Sequence, residues 1–173
     1  QEFRTILMTA TLTTDSYAVL DKLFGPLGED KTFSAVHLRV EPDYYQSYCI
    51  YDEELKIARI MELLKHSPRP AILYVTKKKD ANEWLLRCRS EGWSRIGLVH
   101  GDCSGKDRQA VIRKWRDDKI DLMIATSAFG LGMDKKDVRL VVHACVPETV
   151  DRYYQEVGRG GRDQKGSVSA MIW

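Results

Sequence analysis

The sequence predicts an α/β chain, with a mainly parallel sheet and helices on both faces. Three observations lead there. From residue 52 onward, short apolar runs alternate with amphipathic stretches, which is the order of a crossover-connected sheet. Runs such as Ala71-Ile72-Leu73-Tyr74-Val75 are continuously apolar rather than alternating, as expected of strands covered on both sides. Directly after these runs come small hydroxyl residues and glycines, at the strand ends where such sheets bind ligands.

Taken in order, Ile6, Leu7 and Met8 form a short buried strand running into Thr9-Ala10-Thr11. Residues 15–24 read as a helix with Val19, Leu20 and Leu23 on its apolar side, stopped by Gly25-Pro26. Residues 27–31 are a polar loop. Val36, Leu38 and Val40 alternate with His37 and Arg39 as a half-buried strand would, and Pro42 is expected to end it. Tyr44, Tyr45, Tyr48 and Tyr51 follow. Tyrosines can stack on bases, but Asp43, Asp52 and Glu53 beside them favour packing between elements.

A helix from Asp52 carries Ile57, Ile60, Met61 and Leu64 at i, i+3, i+4, i+7 spacing, with acid at its start and Lys65 and His66 at its end. The strand 71–75 comes next, then a helix with Ala81, Trp84, Leu85 and Cys88 inward. The strand 96–99 ends at His100-Gly101-Asp102. Ser104 and Asp107 form a capping box for a helix that turns Val111 and Trp115 inward. A strand at 121–125, a loop at 126–134, a strand at 139–143, a helix from Thr149 and a strand at 167–172 complete the chain.

Composition narrows the function. With 43% hydrophobic and 9% aromatic residues, the 173-residue chain can pack an ordinary core. A net charge of +2 rules out a basic nucleic-acid tail, so polyanion binding must come from local clusters such as Lys77–Lys79 or Lys135/Lys136. Cys49, Cys88, Cys103 and Cys145 have neither paired spacing nor nearby His, which argues against zinc and for free thiols in a reducing compartment. No metal site is expected. No apolar run is long enough to span a bilayer and no signal-peptide pattern is present, so the chain is read as soluble and intracellular.

The stretch YYQEVGRGGRD at 153–163 is the most informative. On a helix, Gln155, Arg159 and Arg162 fall at i, i+4 and i+7 and point the same way. Gly158, Gly160 and Gly161 predict that the helix ends near Gly160, with Arg162 on a tighter turn. Two guanidiniums and an amide on one edge form a polyanion clamp, because each guanidinium offers a planar fork of donors to phosphate oxygens. The plainer reading is a solvated basic helix end. The glycines argue for the clamp, since they let a ligand approach the backbone.

In its Q-x-x-G-R-x-G-R form this stretch resembles the last arginine motif of superfamily-two helicases, and most of all the RecQ family. Thr9-Ala10-Thr11 resembles motif III, residues 72–76 resemble motif IV, and V-H-G-D at 99–102 with Arg108 resembles the segment after it. A-T-S-A-F-G-L-G-M-D-K-K-D-V-R at 125–139 is very similar to the RecQ motif V. The resemblance implies a RecA-like (P-loop NTPase-like) three-layer domain: the second, C-terminal motor domain of an ATP-dependent DNA helicase. Residues 1–30 would be the tail of the first motor domain, residues 31–51 a connector and residues 52–173 the second domain.

By the same resemblance Arg162 is the arginine finger, Arg159 the second motif arginine and Gln155 the residue that couples it to the partner domain. Gly132 and Asp134 face the nucleotide. Thr126 holds a nucleic-acid phosphate, with Ser127, Thr76, Lys77 and His100 beside it on a single-strand track. The implied cofactors are ATP and Mg²⁺, and the implied partners are DNA with single-stranded character and a first motor domain in cis. No G-x-x-x-x-G-K-[ST] phosphate loop or D-E-x-[HD] motif occurs in the chain. ATP and Mg²⁺ would therefore be held mainly by the first domain, and this chain alone is expected to be inactive. Two alternatives stay open: an RNA helicase or non-unwinding translocase, and a non-catalytic binding module that keeps the fold.

Overall fold

The computed structural model describes residue 7 and residues 12–25, 39–126 and 134–173. The chain divides into two compact units, Gln1–Leu38 and Arg39–Trp173. In the first, helix α1 spans Thr14–Phe24, and the Thr13 hydroxyl caps it by accepting from the Ser16 N–H at 3.1 Å. Gly25 ends it with φ +85°. None of its residues is buried. Of the predicted buried strand at Ile6–Met8 only Leu7 is described, and it is exposed and in no strand. Of the predicted strand at 36–40 only Arg39 and Val40 are described, neither in a strand, with Val40 exposed rather than half-buried. The Thr9–Thr11 tripeptide lies outside the described residues.

The second unit is a six-stranded sheet, β1 (Pro42–Ser47), β2 (Ala71–Tyr74), β3 (Ile96–Val99), β4 (Leu122–Ala125), β5 (Leu140–His143) and β6 (Ser167–Ile172). Its spatial order is β1-β6-β5-β2-β4-β3, and every pairing is parallel. Between the strands run α2 (Glu53–His66), α3 (Lys78–Ser90), α4 (Gly105–Arg116) and α5 (Val150–Val157).

Strand alternation decides which helix covers which face. Leu73, Leu122, Ile124, Leu140 and Val142 point to one side, against Ile60, Met61 and Leu64 of α2 and Ala81, Trp84 and Cys88 of α3. Ile72, Tyr74, Met123, Ala125 and Val141 point to the other, against Trp115 of α4. β2, β4 and β5 are buried on both faces, which is why they lack polar alternation, whereas the edge strand β1 is largely exposed.

Caps follow the sequence closely. The Asp52 carboxylate accepts from Leu55 N–H at 2.8 Å at the start of α2. The Ser104 hydroxyl caps α4 by accepting from Asp107 N–H at 3.1 Å. It donates to the Asp107 carboxylate at 2.7 Å, a side-chain bond in place of the carboxylate-to-Ser104 N–H bond of the predicted box.

Pro42 differs from expectation. It begins β1 rather than ending a strand, and Pro42 pairs with Ser167 at the outer edge of the sheet. An edge strand's first residue is a position that tolerates the missing N–H. Tyr44, Tyr45, Tyr48 and Tyr51 are all exposed rather than packed between elements, although Tyr48 also lies edge-on to Trp173 at 5.4 Å.

Candidate functional site

Helix α5 begins at a Thr149 cap, whose hydroxyl accepts from Arg152 N–H at 3.1 Å. It ends at Val157, earlier than its periodicity suggests. Only Gln155 of the three predicted clamp residues is therefore helical. Gln155 is exposed, Arg159 is buried at 9% exposure, and Arg162 lies out on the following turn. The single shared face expected from i, i+4, i+7 spacing is absent, because the chain leaves helical geometry at Gly158.

The glycines also serve a different purpose from the one expected. A Cβ on Gly160 would sit 2.7 Å from the Ser167 hydroxyl oxygen, and one on Gly161 would sit 2.5 Å from the Lys165 carbonyl and 2.9 Å from Glu41 Cβ. Gly161 also has φ +59°, a left-handed conformation that glycine adopts without steric cost. The close approach they permit is to β6 and to the segment before β1.

This turn is tied down by residues far away in sequence. Gly161 N–H donates to Val138 O at 2.9 Å, and Asp163 N–H donates to Lys136 O at 3.1 Å. Arg39 donates to Gly158 O at 2.9 Å and to Gly161 O at 2.7 Å, and its Nε pairs with Glu41 at 3.2 Å. Arg139 grips Asp163 with both guanidinium nitrogens, one at 3.0 Å. The Arg39 guanidinium holds the Glu41 carboxyl below its ordinary range, and Arg139 does the same to Asp163.

Arg162 makes two bonds on this platform. Its Nε donates to Gly158 O at 3.0 Å, and its Nη1 pairs with Asp134 at 3.1 Å. The pair is open to water, with the side chains 35% and 69% exposed. Two predicted residues that lie 28 positions apart are thus brought together. Next to Asp134, Lys135 turns inward. It pairs with Asp118 and, at 3.1 Å, with Asp137, and lies 5.5 Å from the Trp115 ring centre. Burial would lower its pKa, but the two carboxylates outweigh burial and raise it. Lys135 therefore serves the fold rather than a surface basic cluster.

Beneath α5 lies a polar layer that the sequence reading did not identify. His143, fully buried at the end of β5, meets Glu156 at 2.9 Å, and Arg152 reaches the other Glu156 oxygen at 3.3 Å. Tyr74 stacks on His143 at 5.1 Å. Burial pushes the Tyr74 hydroxyl well above its ordinary pKa, partly opposed by the Arg159 guanidinium nearby. The available signal was a histidine closing the apolar run Leu140-Val141-Val142-His143. A buried imidazole needs a partner.

The remaining predicted residues gather at the opposite edge. Tyr74 and Val99 each register with Ala125, so β2, β3 and β4 end level. Just beyond them, Thr76 and Lys77 are exposed, and Lys78 pairs with Asp102 across the edge. Thr126 is buried at 6% exposure, its N–H donating to Val99 O at 3.1 Å. His100 is half-buried and its backbone N–H points to Cys103 Sγ at 3.4 Å. Ser127 and Gly132 lie outside the described residues. Arg162 and Asp134 belong instead to the amino-end side, since the turn is bonded to residues 136–138 leading into β5.

Among the described residues, no group of three or more His, Cys, Asp or Glu side chains could hold a metal ion. The four cysteines are free. No helix among the described residues is long and apolar enough to cross a membrane.

The helicase conserved C-terminal domain family matches residues 55–164, a span that includes Arg162, Asp134, Thr76, His100 and Thr126. Over 121 residues the chain is 36% identical to the probable ATP-dependent DNA helicase RecS of Bacillus subtilis, covering 70% of this chain but 24% of that protein. It is 29% identical over 156 residues to the ATP-dependent DNA helicase RecQ of the same organism, covering 86% of this chain and 26% of the relative. Among solved structures, a DEAD box protein from the hyperthermophile Methanococcus jannaschii superposes with a TM-score of 0.67. That similarity is at 27% identity and covers 95% of this chain and 44% of the other.

Proposed function

Because this chain belongs to the helicase conserved C-terminal domain family, and its curated relatives are RecQ-type DNA helicases, we propose that it is the second motor domain of a RecQ-type ATP-dependent DNA helicase. Its RecA-like sheet would offer two working edges, one to ATP and one to a single strand of DNA. The observation that carries this reading is the Arg162–Asp134 pair. A guanidinium fixed through Nε to a backbone carbonyl, yet water-accessible at its far end, is suited to exchange a carboxylate for a phosphate.

In this reading Arg162 is the arginine finger. When ATP is bound by a first motor domain in cis, Arg162 leaves Asp134 and faces the γ-phosphate, where negative charge develops during transfer. Asp134 holds the guanidinium in place until then. The described residues fit the nucleotide as donors to its outer phosphate. The chain carries no D-E-x-[HD] motif, so the first domain would hold the metal ion. Buried Arg159 and exposed Gln155 would support the finger, with Gln155 facing the partner domain. Thr126, Thr76, Lys77 and His100, with Ser127, would form the DNA track at the carboxyl ends of β2, β3 and β4.

The test compares this chain alone with the full-length protein. The isolated chain should show no DNA-stimulated ATP hydrolysis. Full-length Arg162→Ala should lose kcat while keeping its affinity for ATP. Normal turnover in a folded Arg162→Ala protein would return the pair to a purely structural role.

A further inference from the structure

We infer that Arg39 is a positioning residue for Arg162, acting through the Gly158 carbonyl that both side chains share. Its role depends on Arg162 working as the finger, but it is carried by contacts of its own. Gly158 O accepts from Arg39 Nη1 at 2.9 Å and from Arg162 Nε at 3.0 Å. A carbonyl oxygen has two lone pairs, and here each holds one guanidinium.

Two like charges on one acceptor repel unless each has its own counter-charge. Glu41 supplies it for Arg39 at 3.2 Å, and Asp134 supplies it for Arg162 at 3.1 Å. The arrangement is therefore a chain of alternating charges, Glu41–Arg39–carbonyl–Arg162–Asp134, anchored at the Glu41 end. The Glu41 backbone carbonyl also takes Ser167 N–H at 2.9 Å, and Glu41 Cβ lies where a Gly161 side chain would go. Residues 39–41 form a floor, with the turn resting on it.

The geometry needs the fork of an arginine. Arg39 places separate nitrogens on Gly158 O, Gly161 O and Glu41, three acceptors in different directions. A lysine ammonium is a point donor and cannot span them. With Arg39 gone, Gly158 O and Gly161 O lose a part-buried donor each and the turn is free to shift. Arg162 then starts its reach from the wrong place. Misplacement of about 1 Å costs up to about 100-fold in rate when orientation limits the reaction.

The experiment uses the full-length protein in four forms: unaltered, Arg39→Lys, Arg162→Ala and the double variant. DNA-stimulated kcat and KM for ATP are measured, with single-turnover hydrolysis for the slow forms and melting temperature as the folding control. Arg39→Lys should lower kcat about tenfold or more with KM changed less than about twofold, since only positioning in the transition state is lost. The double variant should hydrolyse no more slowly than Arg162→Ala, because Arg39 acts only through Arg162.

Unchanged kcat in Arg39→Lys, or losses that multiply in the double variant, would overturn the inference. If Arg39→Lys melts below the assay temperature, Arg39→Gln, which keeps one amide donor for one carbonyl, is held to the same two criteria. Full turnover in Arg162→Ala would instead remove the finger reading itself.

Discussion

The two edges of this sheet are made in opposite ways. At the carboxyl ends of β2, β3 and β4, the candidate residues follow directly from strands and need little help. Thr76 and Lys77 simply continue past β2, and the Lys78–Asp102 pair beside them is 61% exposed on both sides. At the other edge the arginine turn is held by Arg39, residues 136–138 and Arg139. A strand end is placed by the sheet. A turn that must present one guanidinium needs scaffolding from several parts of the chain.

That contrast is sharpened most by crossing the readouts. If Arg162 is the arginine finger, Arg162→Ala in the full-length protein should cost about 10³-fold or more in kcat, the scale of a lost finger. It should leave single-stranded DNA affinity and melting temperature nearly unchanged. An exposed ion pair such as Arg162–Asp134 contributes at most about 1 kcal/mol to folding. If Arg162→Ala weakened DNA binding as much as turnover, the two edges would not be functionally separate.

Next in size is a pair of glycine substitutions, read as stability of this chain in denaturant. Gly161→Ala places a Cβ 2.5 Å from the Lys165 carbonyl at φ +59°, and backbone strain plus overpacking should cost about 2–4 kcal/mol. Gly101→Ala, on the carboxyl edge, meets nothing within 4 Å and should stay within about 0.5 kcal/mol. Equal losses at the two positions would mean that both edges are equally constrained.

A smaller effect is expected from Thr126→Val. If its hydroxyl holds a DNA phosphate, the substitution should weaken single-stranded DNA binding by about 1.5–3 kcal/mol, the worth of one hydrogen bond to a charged acceptor. ATP turnover at saturating DNA should be kept. Thr126 is buried at 6% exposure, and valine is nearly isosteric with it, so folding should hold. Unaltered affinity across a salt series would assign Thr126 to the end of β4 alone.

The same contrast explains what the sequence could and could not tell. Strands 71–74, 96–99, 122–125 and 140–143 were legible because burial on both faces leaves continuous apolar runs. Thr76, His100 and Thr126 were legible as strand-end residues for the same reason. The letters of the arginine motif were legible too, but not their division of labour. Helical spacing placed Gln155, Arg159 and Arg162 on one face, whereas Gly158 ends the helix and buries Arg159. Gly160 and Gly161 looked like room for a ligand and are room for Ser167 and Glu41. Arg39, 119 residues from Gly158, carries no local signal of its contact, and His143 with Glu156 is a tertiary pairing that periodicity does not show. Pro42 was misread because an edge strand can start where a central strand must stop.

The smallest expected effect concerns how firmly the turn is held, and it is read by pH. The Asp163 carboxyl is held below its ordinary pKa, first by its hydrogen bonds from Arg139 and further by the Lys165 N–H at 3.3 Å. Because the folded-state pKa is depressed, the carboxylate contributes stability at pH values above its unfolded pKa of about 3.9. The contribution is lost as pH falls through the lower folded value, where the group takes up a proton in both states. Asp163→Asn should therefore lower the melting temperature of this chain at pH 7, and the gap to the unaltered chain should close below about pH 4. Asp102→Asn, which breaks the pair with Lys78, removes a carboxylate whose pKa is depressed in the same direction. That pair stands in open solvent, so at pH 7 its gap should be smaller than that of Asp163. A gap for Asp163→Asn that persisted unchanged to pH 2 would mean that the turn depends on the shape of the side chain. The grip of Arg139 would then be incidental to holding the arginine turn in place.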